Sequence, residues 1–247
     1  MPVQAPFFKS PTNPQHCNGF KSFAVYCRAK PGIVEKYLEP TPFSPLGDDF
    51  VITFGDYSNN DAAAFYDAAI VVPARYKGVT GGYVLFEYED LVSSVAGGRE
   101  LWGYPKKEAD FEFADTGDFC TARVIRQGNE LMSLRLDFTA GDRVRLPEIQ
   151  THPHLLLLTM PRYAGPGIQS QKILSRDSSP DLIVKSKKLA AAEVRLSGCE
   201  KPPVIEPLDE WQPVEVYGAS FVVADYSSTD EHGYANLVDV IVADPDR

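Results

Sequence analysis

Two adjacent lysines, Lys106 and Lys107, follow Tyr104-Pro105. A lysine attacks a carbonyl carbon only through its free amine, and the protonated imine that results is an electron sink. At the reference pKa of about 10.4, less than about 0.1% of such an amine is free near pH 7. A fall of about four units would free it, a differential of ~5.4 kcal/mol. Proline biases Tyr104 toward an extended backbone, so the segment is expected to enter a strand. Neighbouring side chains on a strand point to opposite faces, and only one lysine can then face an interior pocket. The head group of its neighbour points away, so burial rather than lysine–lysine repulsion is the expected cause of a lowered pKa.

A Lys-Lys pair is most often a solvated surface feature, and the surrounding string gives this one its weight. A glycine-rich turn at Gly78, Gly81 and Gly82 precedes a strand from Tyr83. Gly98-Arg99-Glu100-Leu101 then leads to Tyr104-Pro105-Lys106-Lys107, and Val34–Pro40 reads as a helix leaving through a proline. Over about residues 20–115 this pattern resembles the acetoacetate decarboxylases. The resemblance implies that Lys106 attacks a β-keto acid, that carbon dioxide leaves the imine, and that the enamine is protonated and hydrolysed. It implies no metal and no organic cofactor, a β-rich barrel-like domain with flanking helices, and a homo-oligomer. It gives Lys107 an electrostatic or positioning role. Asp67 falls at the family's glutamate position, as acid–base group or as a mere strand-end aspartate. Arg99 and Glu100 are either an ion pair holding the loop or substrate-binding groups, and Tyr104 either lines the pocket or packs.

Two family positions are not matched. The second acid falls on Ile52, and the arginine falls near Gly19–Lys21, where Lys21 and Asp56 are the available substitutes. Polar neighbours decide what an imine does next, so aldol, dehydration or cyclisation on a larger keto-acid is the alternative to decarboxylation. A non-catalytic ligand-binding relative is the third reading.

The chain has 247 residues, 44% apolar and 23% charged, with a formal charge of -10. That charge opposes binding to nucleic acid or to a membrane surface. It leaves a small anionic substrate possible through a local basic pocket. Cys17, Cys27, Cys120 and Cys199 form no CxxC pair and read as buried thiols of a reducing compartment. No signal-like N-terminus and no spanning apolar run is evident, and the expectation is a cytoplasmic protein. His152-Pro153-His154 places two imidazoles close together without an acid or cysteine to complete a metal site.

The elements that must position these groups read as mostly strands. Twenty prolines and eighteen glycines imply many turns and argue against a helical bundle. Strands are expected at Phe20–Arg28, Phe50–Tyr57, Ala68–Val72, Tyr83–Glu89, Phe111–Phe113, Phe119–Arg126, Leu131–Phe138, His154–Met160, Leu182–Leu196 and Val214–Tyr226. In Tyr83–Glu89, Val84, Phe86 and Tyr88 should face one way, Leu85 and Glu87 the other. Gln127-Gly128-Asn129 should close a hairpin whose buried face is Met132, Leu134, Leu136 and Phe138. Helices are expected at Gly32–Glu39, ended by Pro40 and Pro42, and at Asp90–Leu101. Lys185, Lys187 and Lys188 read as an outer strand face, and Asp225–Glu231 as a loop. The fold class is α+β, predominantly antiparallel β, as a sandwich or barrel with a few flanking helices. One domain is expected over 1–247, with an irregular arm at 1–19.

Overall fold

The computed structural model describes residues 15–200 and 204–242. Strand β1 (Gln15–Arg28) is followed by helix α1 (Ile33–Leu38) and by strands β2 (Ser44–Pro45), β3 (Asp49–Asp56), β4 (Tyr66–Tyr76) and β5 (Val79–Glu89). Helix α2 (Val92–Gly97) runs directly into one π-helical turn, Gly98–Trp102. Strands β6 (Lys106–Glu108), β7 (Asp110–Asp115), β8 (Phe119–Arg126) and β9 (Asn129–Asp137) come next. After them come β10 (His154–Pro161), β11 (Ile168–Arg176), β12 (Leu182–Leu196), β13 (Glu215–Ser228) and β14 (Asn236–Val242).

Hydrogen bonding orders the strands β14-β11-β10-β5-β4-β3-β1-β13-β12-β9-β8-β7, with β2 beside β4 and β6 beside β5. The pairings of β5 with β10 and with β6 are parallel, and the rest are antiparallel. The order stays open at both ends among the described residues, yet the sheet coils on itself. Phe54 of β3 stacks on Phe113 of the far edge strand β7, with ring centroids 5.1 Å apart. β12 makes the coiling possible, because Leu182–Ala190 pair with β13 while Ala191–Leu196 turn to pair with β9. The main core lies inside this coil, and β4 has apolar residues on both faces. Ala68, Ile70 and Val72 join the main core, whereas Ala69 and Val71 join a second cluster with Val84, Tyr104, Leu156 and Leu174. Buried on both faces, β4 carries the continuous apolar run that such a strand requires.

Several expectations need correction. The irregular arm extends too far, because Gln15–Gly19 already belong to β1; residues 1–14 lie outside the described residues. Gly81 and Gly82 lie within β5, and the turn is Lys77-Gly78, both at positive φ. The simple alternation in β5 fails at a bulge around Leu85, where Ile70 pairs with Phe86 but Val71 pairs with Val84. The expected helix at Asp90–Leu101 is α2 plus the π turn. Phe138 starts a 3-10 turn (Phe138–Arg143) and is half-buried, its ring 5.3 Å from Phe221. Asp225–Ser228 are strand, not loop. The polar-rich strand β11 and the edge strand β14 were not exposed by the periodicity alone. Among the described residues no helix is long and apolar enough to cross a membrane. All four cysteines are buried and free.

Trp211 is fully buried, with ring centroids 5.2 Å from Tyr37 and 5.3 Å from Phe50. Trp211→Ala is expected to cost about 3–5 kcal/mol of stability, read as a lower midpoint of urea unfolding. An unchanged midpoint would show that this ring cluster does not hold the core.

Candidate active site

Strand register assembles a charged cluster from three neighbouring strands. Asp67 on β4 lies opposite Glu89 on β5, and Glu87 on β5 lies opposite Lys106 on β6. The bulge in β5 lets Val84 and Glu87 both line a cavity while Phe86 and Tyr88 face the main core. The Lys106 ammonium donates to Glu89 Oε2 and stands 3.6 Å from Glu87 Oε1. All three side chains are withdrawn from solvent: Lys106 is 11% exposed, Glu87 8% and Glu89 0%. One oxygen of each glutamate, Glu87 Oε2 and Glu89 Oε1, is buried with no hydrogen-bond partner among the described residues.

The π turn supports the lysine. A Cβ on Gly98 would come within 2.7 Å of Lys106 Cδ and 2.9 Å of its Cε, so the lysine stem lies where a side chain at 98 would stand. Arg99 Nη1 donates to the Lys106 carbonyl at 3.0 Å and ties β6 to the turn.

The electrostatics run opposite to the expected lowering of the amine pKa. Burial acts to lower the pKa of Lys106, but Glu87, Glu89 and Asp67 outweigh it and hold the ammonium charged well above its ordinary range. Three carboxyls facing one ammonium cannot all ionise cheaply. Burial, opposed by Lys106 and reinforced by Glu89, pushes Glu87 up to about 7. Burial also raises Asp67 well above the usual carboxylate range. Glu87 and Asp67 therefore store protons near neutral pH.

The cavity holds about 770 Å³ and is also lined by Tyr104, His152, His154 and Arg176. Gly81 and Gly82 admit the histidine segment: a Cβ on them would lie 2.2 Å from the Pro153 carbonyl oxygen and 2.3 Å from that of Thr151. The Tyr104 hydroxyl and His154 Nδ1 are 2.9 Å apart, and the two imidazoles stack with centroids 4.7 Å apart. Burial pushes both histidine pKa values down, His154 well below its usual range, so both rings are neutral. The Arg176 guanidinium donates to the Gly233 carbonyl at 2.9 Å and reaches the Tyr104 hydroxyl at 3.5 Å. Among the described residues no cluster of three His, Cys, Asp or Glu side chains is placed to hold a metal ion.

The sequence candidates separate in space. Lys106, Asp67 and Tyr104 meet in the cavity. Lys107 turns the other way and donates to buried Glu206 at 2.8 and 2.9 Å, so its charge is neutralised locally. Arg99 and Glu100 are exposed and outside the lining of this cavity. Ile52 is core, Lys21 pairs with Asp115 at 3.0 Å, and Asp56 accepts from the Ser58 amide at 2.9 Å, so none replaces a missing site group. Acids and an arginine do stand at the site: Glu87 and Glu89 lie against Lys106 and Arg176 lines the same cavity, and sequence reasoning missed all three. The one available signal was two glutamates spaced by two on a strand that is otherwise buried.

The sequence model of the acetoacetate decarboxylase family matches residues 1–237. The chain belongs to the acetoacetate decarboxylase family. Among curated relatives it is 32% identical over 180 residues to an acetoacetate decarboxylase of Paraburkholderia xenovorans, covering 70% of this chain and 64% of that one. A second, from Burkholderia multivorans, is 29% identical over 179 residues, covering 70% and 65%. The matched stretch thus spans just under two thirds of these relatives' lengths. The fold is shared with the crystal structure of the Legionella pneumophila acetoacetate decarboxylase, with a TM-score of 0.77 at 18% identity over 97% of this chain and 93% of that one. It is also shared with the enduracididine biosynthesis enzyme MppR complexed with the condensation product of pyruvate and imidazole 4-carboxaldehyde. There the TM-score is 0.66 at 15% identity, over 95% and 90% of the two chains.

Glu89→Gln removes a carboxylate in contact with the ammonium. It is expected to lower the Lys106 pKa by about 1–3 units. The readout is the pH dependence of labelling by an amine-selective reagent, mapped to Lys106 by mass. A pKa that stays put or rises would contradict the charge cluster.

Proposed function

We propose that this family member is a lyase that forms a Schiff base through Lys106 with a β-keto acid and releases carbon dioxide. The observation that carries the reading is Lys106 itself, the one lysine among the described residues of the cavity wall, held among three carboxyls with Arg176 nearby. The Arg176 guanidinium offers the substrate carboxylate the paired N–H geometry it favours. The raised pKa of Lys106 makes its free amine a minor species; the ammonium passes a proton to Glu89, and that small fraction of free amine attacks the ketone carbon. The carbinolamine loses water to give a protonated imine. The C–C bonding pair then flows to the imine nitrogen, carbon dioxide leaves, and an enamine remains. Glu87 or Asp67, holding a proton near neutral pH, returns it to carbon. Water hydrolyses the new imine, freeing the ketone and Lys106.

The cavity size favours a second reading. About 770 Å³ suits a ligand of drug size, far larger than a four-carbon acid. A Schiff-base aldolase, dehydratase or cyclase acting on a larger keto-acid would use the same lysine to form a carbon–carbon bond, expel water or close a ring rather than release carbon dioxide.

Borohydride with a keto-acid substrate is expected to inactivate the protein and add mass at Lys106, and Lys106→Ala to abolish both effects. Carbon dioxide release separates the two readings: trapping without gas would sink the decarboxylase version. A pH profile tests the proton store. Below about 7 the Glu87 carboxyl is neutral; above it, the carboxylate repels an anionic substrate. kcat/KM should therefore fall as pH rises through about 7, and Glu87→Gln should flatten that limb. A limb unchanged in the variant assigns it to another group.

A further inference from the structure

The cavity has two chemically different ends. One end carries Lys106 and its carboxyls. The other is walled by Phe20, Tyr57, Phe65 and Tyr226, with Leu182 and Val222 beside them. The Phe20 and Tyr57 ring centroids are 4.4 Å apart, those of Tyr57 and Phe65 are stacked at 4.5 Å, and those of Tyr57 and Tyr226 lie 6.0 Å apart. The two ends meet over Gly55. A Cβ there would lie 2.8 Å from Asp67 Oδ1, 2.7 Å from Tyr57 Cε2 and 3.4 Å from Phe20 Cε2. The aromatic wall thus starts beside an acid of the lysine cluster, with no intervening side chain at 55.

The wall is also fixed in place before any ligand arrives. The Tyr57 amide donates to the Phe65 carbonyl at 2.9 Å, the Asn60 amide to Tyr57 at 2.9 Å, and the Asp61 amide to His16 on β1 at 2.9 Å. Ring–ring contacts prefer offset and edge-to-face geometries, and a wall of preset rings gives a flat ligand group such contacts without further ordering cost.

We propose that the substrate is a keto acid whose ketone carries an aryl group, seated against the Phe20–Tyr57–Phe65–Tyr226 wall. The orientation of the ligand, with its carbonyl at Lys106, rests on the imine chemistry proposed above; the aryl subsite itself does not. A four-carbon acid would fill the charged end and leave the ring wall uncovered.

Calorimetry with two unreactive acids isolates the subsite. Binding of 3-phenylpropanoate is expected to be at least tenfold tighter than binding of butanoate. In Tyr57→Ala and in Phe65→Ala, each checked for a native circular dichroism spectrum, the ratio should fall below threefold. Equal affinities in the unaltered protein, no heat with 3-phenylpropanoate, or a tenfold ratio surviving in both variants would overturn the proposal. Borohydride trapping with 3-oxo-3-phenylpropanoate and with acetoacetate reads the lysine chemistry separately. An aryl preference without trapping supports the subsite and removes the imine reading; trapping at Lys106 with no aryl preference in calorimetry does the reverse.

Discussion

The site depends on a buried imbalance of charge: one ammonium, Lys106, facing Asp67, Glu87 and Glu89. A fully ionised set would place net negative charge in a region of low polarisability, where Coulomb energies are several-fold larger than in water. Protons held on the carboxyls relieve it, as the raised pKa values of Glu87 and Asp67 record. The neutral histidines, which add no charge, and Arg176, which adds a positive one, complete the balance. β4 and β5, which deliver the acids, are held by pairings on both sides, so the carboxyls cannot simply move apart.

Lys107 shows the same principle on the opposite side of β6. Glu206, almost fully buried, accepts from Lys107, from Arg126 and from the Tyr88 hydroxyl. Each cation there has a partner, and none of the group lines the cavity of Lys106. Two adjacent lysines therefore live in contrasting settings: one ammonium is matched and structural, the other is surrounded by surplus acid and open to a ligand. The local match also means that Lys107 has no free field with which to unseat the proton of Lys106.

Much of the fold was legible because period-two patterns survive in strands with one buried face. Phe119–Arg126 and Leu182–Leu196 agree with β8 and β12 to the residue. The lysine string was legible because glycine, proline and two lysines coincide within ten positions. Glu87 and Glu89 were not, since a bulge broke the alternation that would have shown which face they occupy. Arg176 was not, because β11 is rich in polar residues and its end reaches the cavity of Lys106 only through the fold. The direction of the Lys106 pKa was misread for the same reason. Burial was visible from the sequence, but the three acids that outweigh it are brought together by long-range strand pairing.

β6 is three residues long and is held by parallel pairing to β5 and by the Arg99 bond to its first carbonyl. On a strand, a slip of one residue exchanges the two faces. In β6 that slip would present Lys107 to the acids and turn Lys106 toward Glu206. Both residues are lysines, so the segment between the π turn and β6 acts as a ruler. Its length, rather than the identity of either side chain, selects which amine enters the cavity.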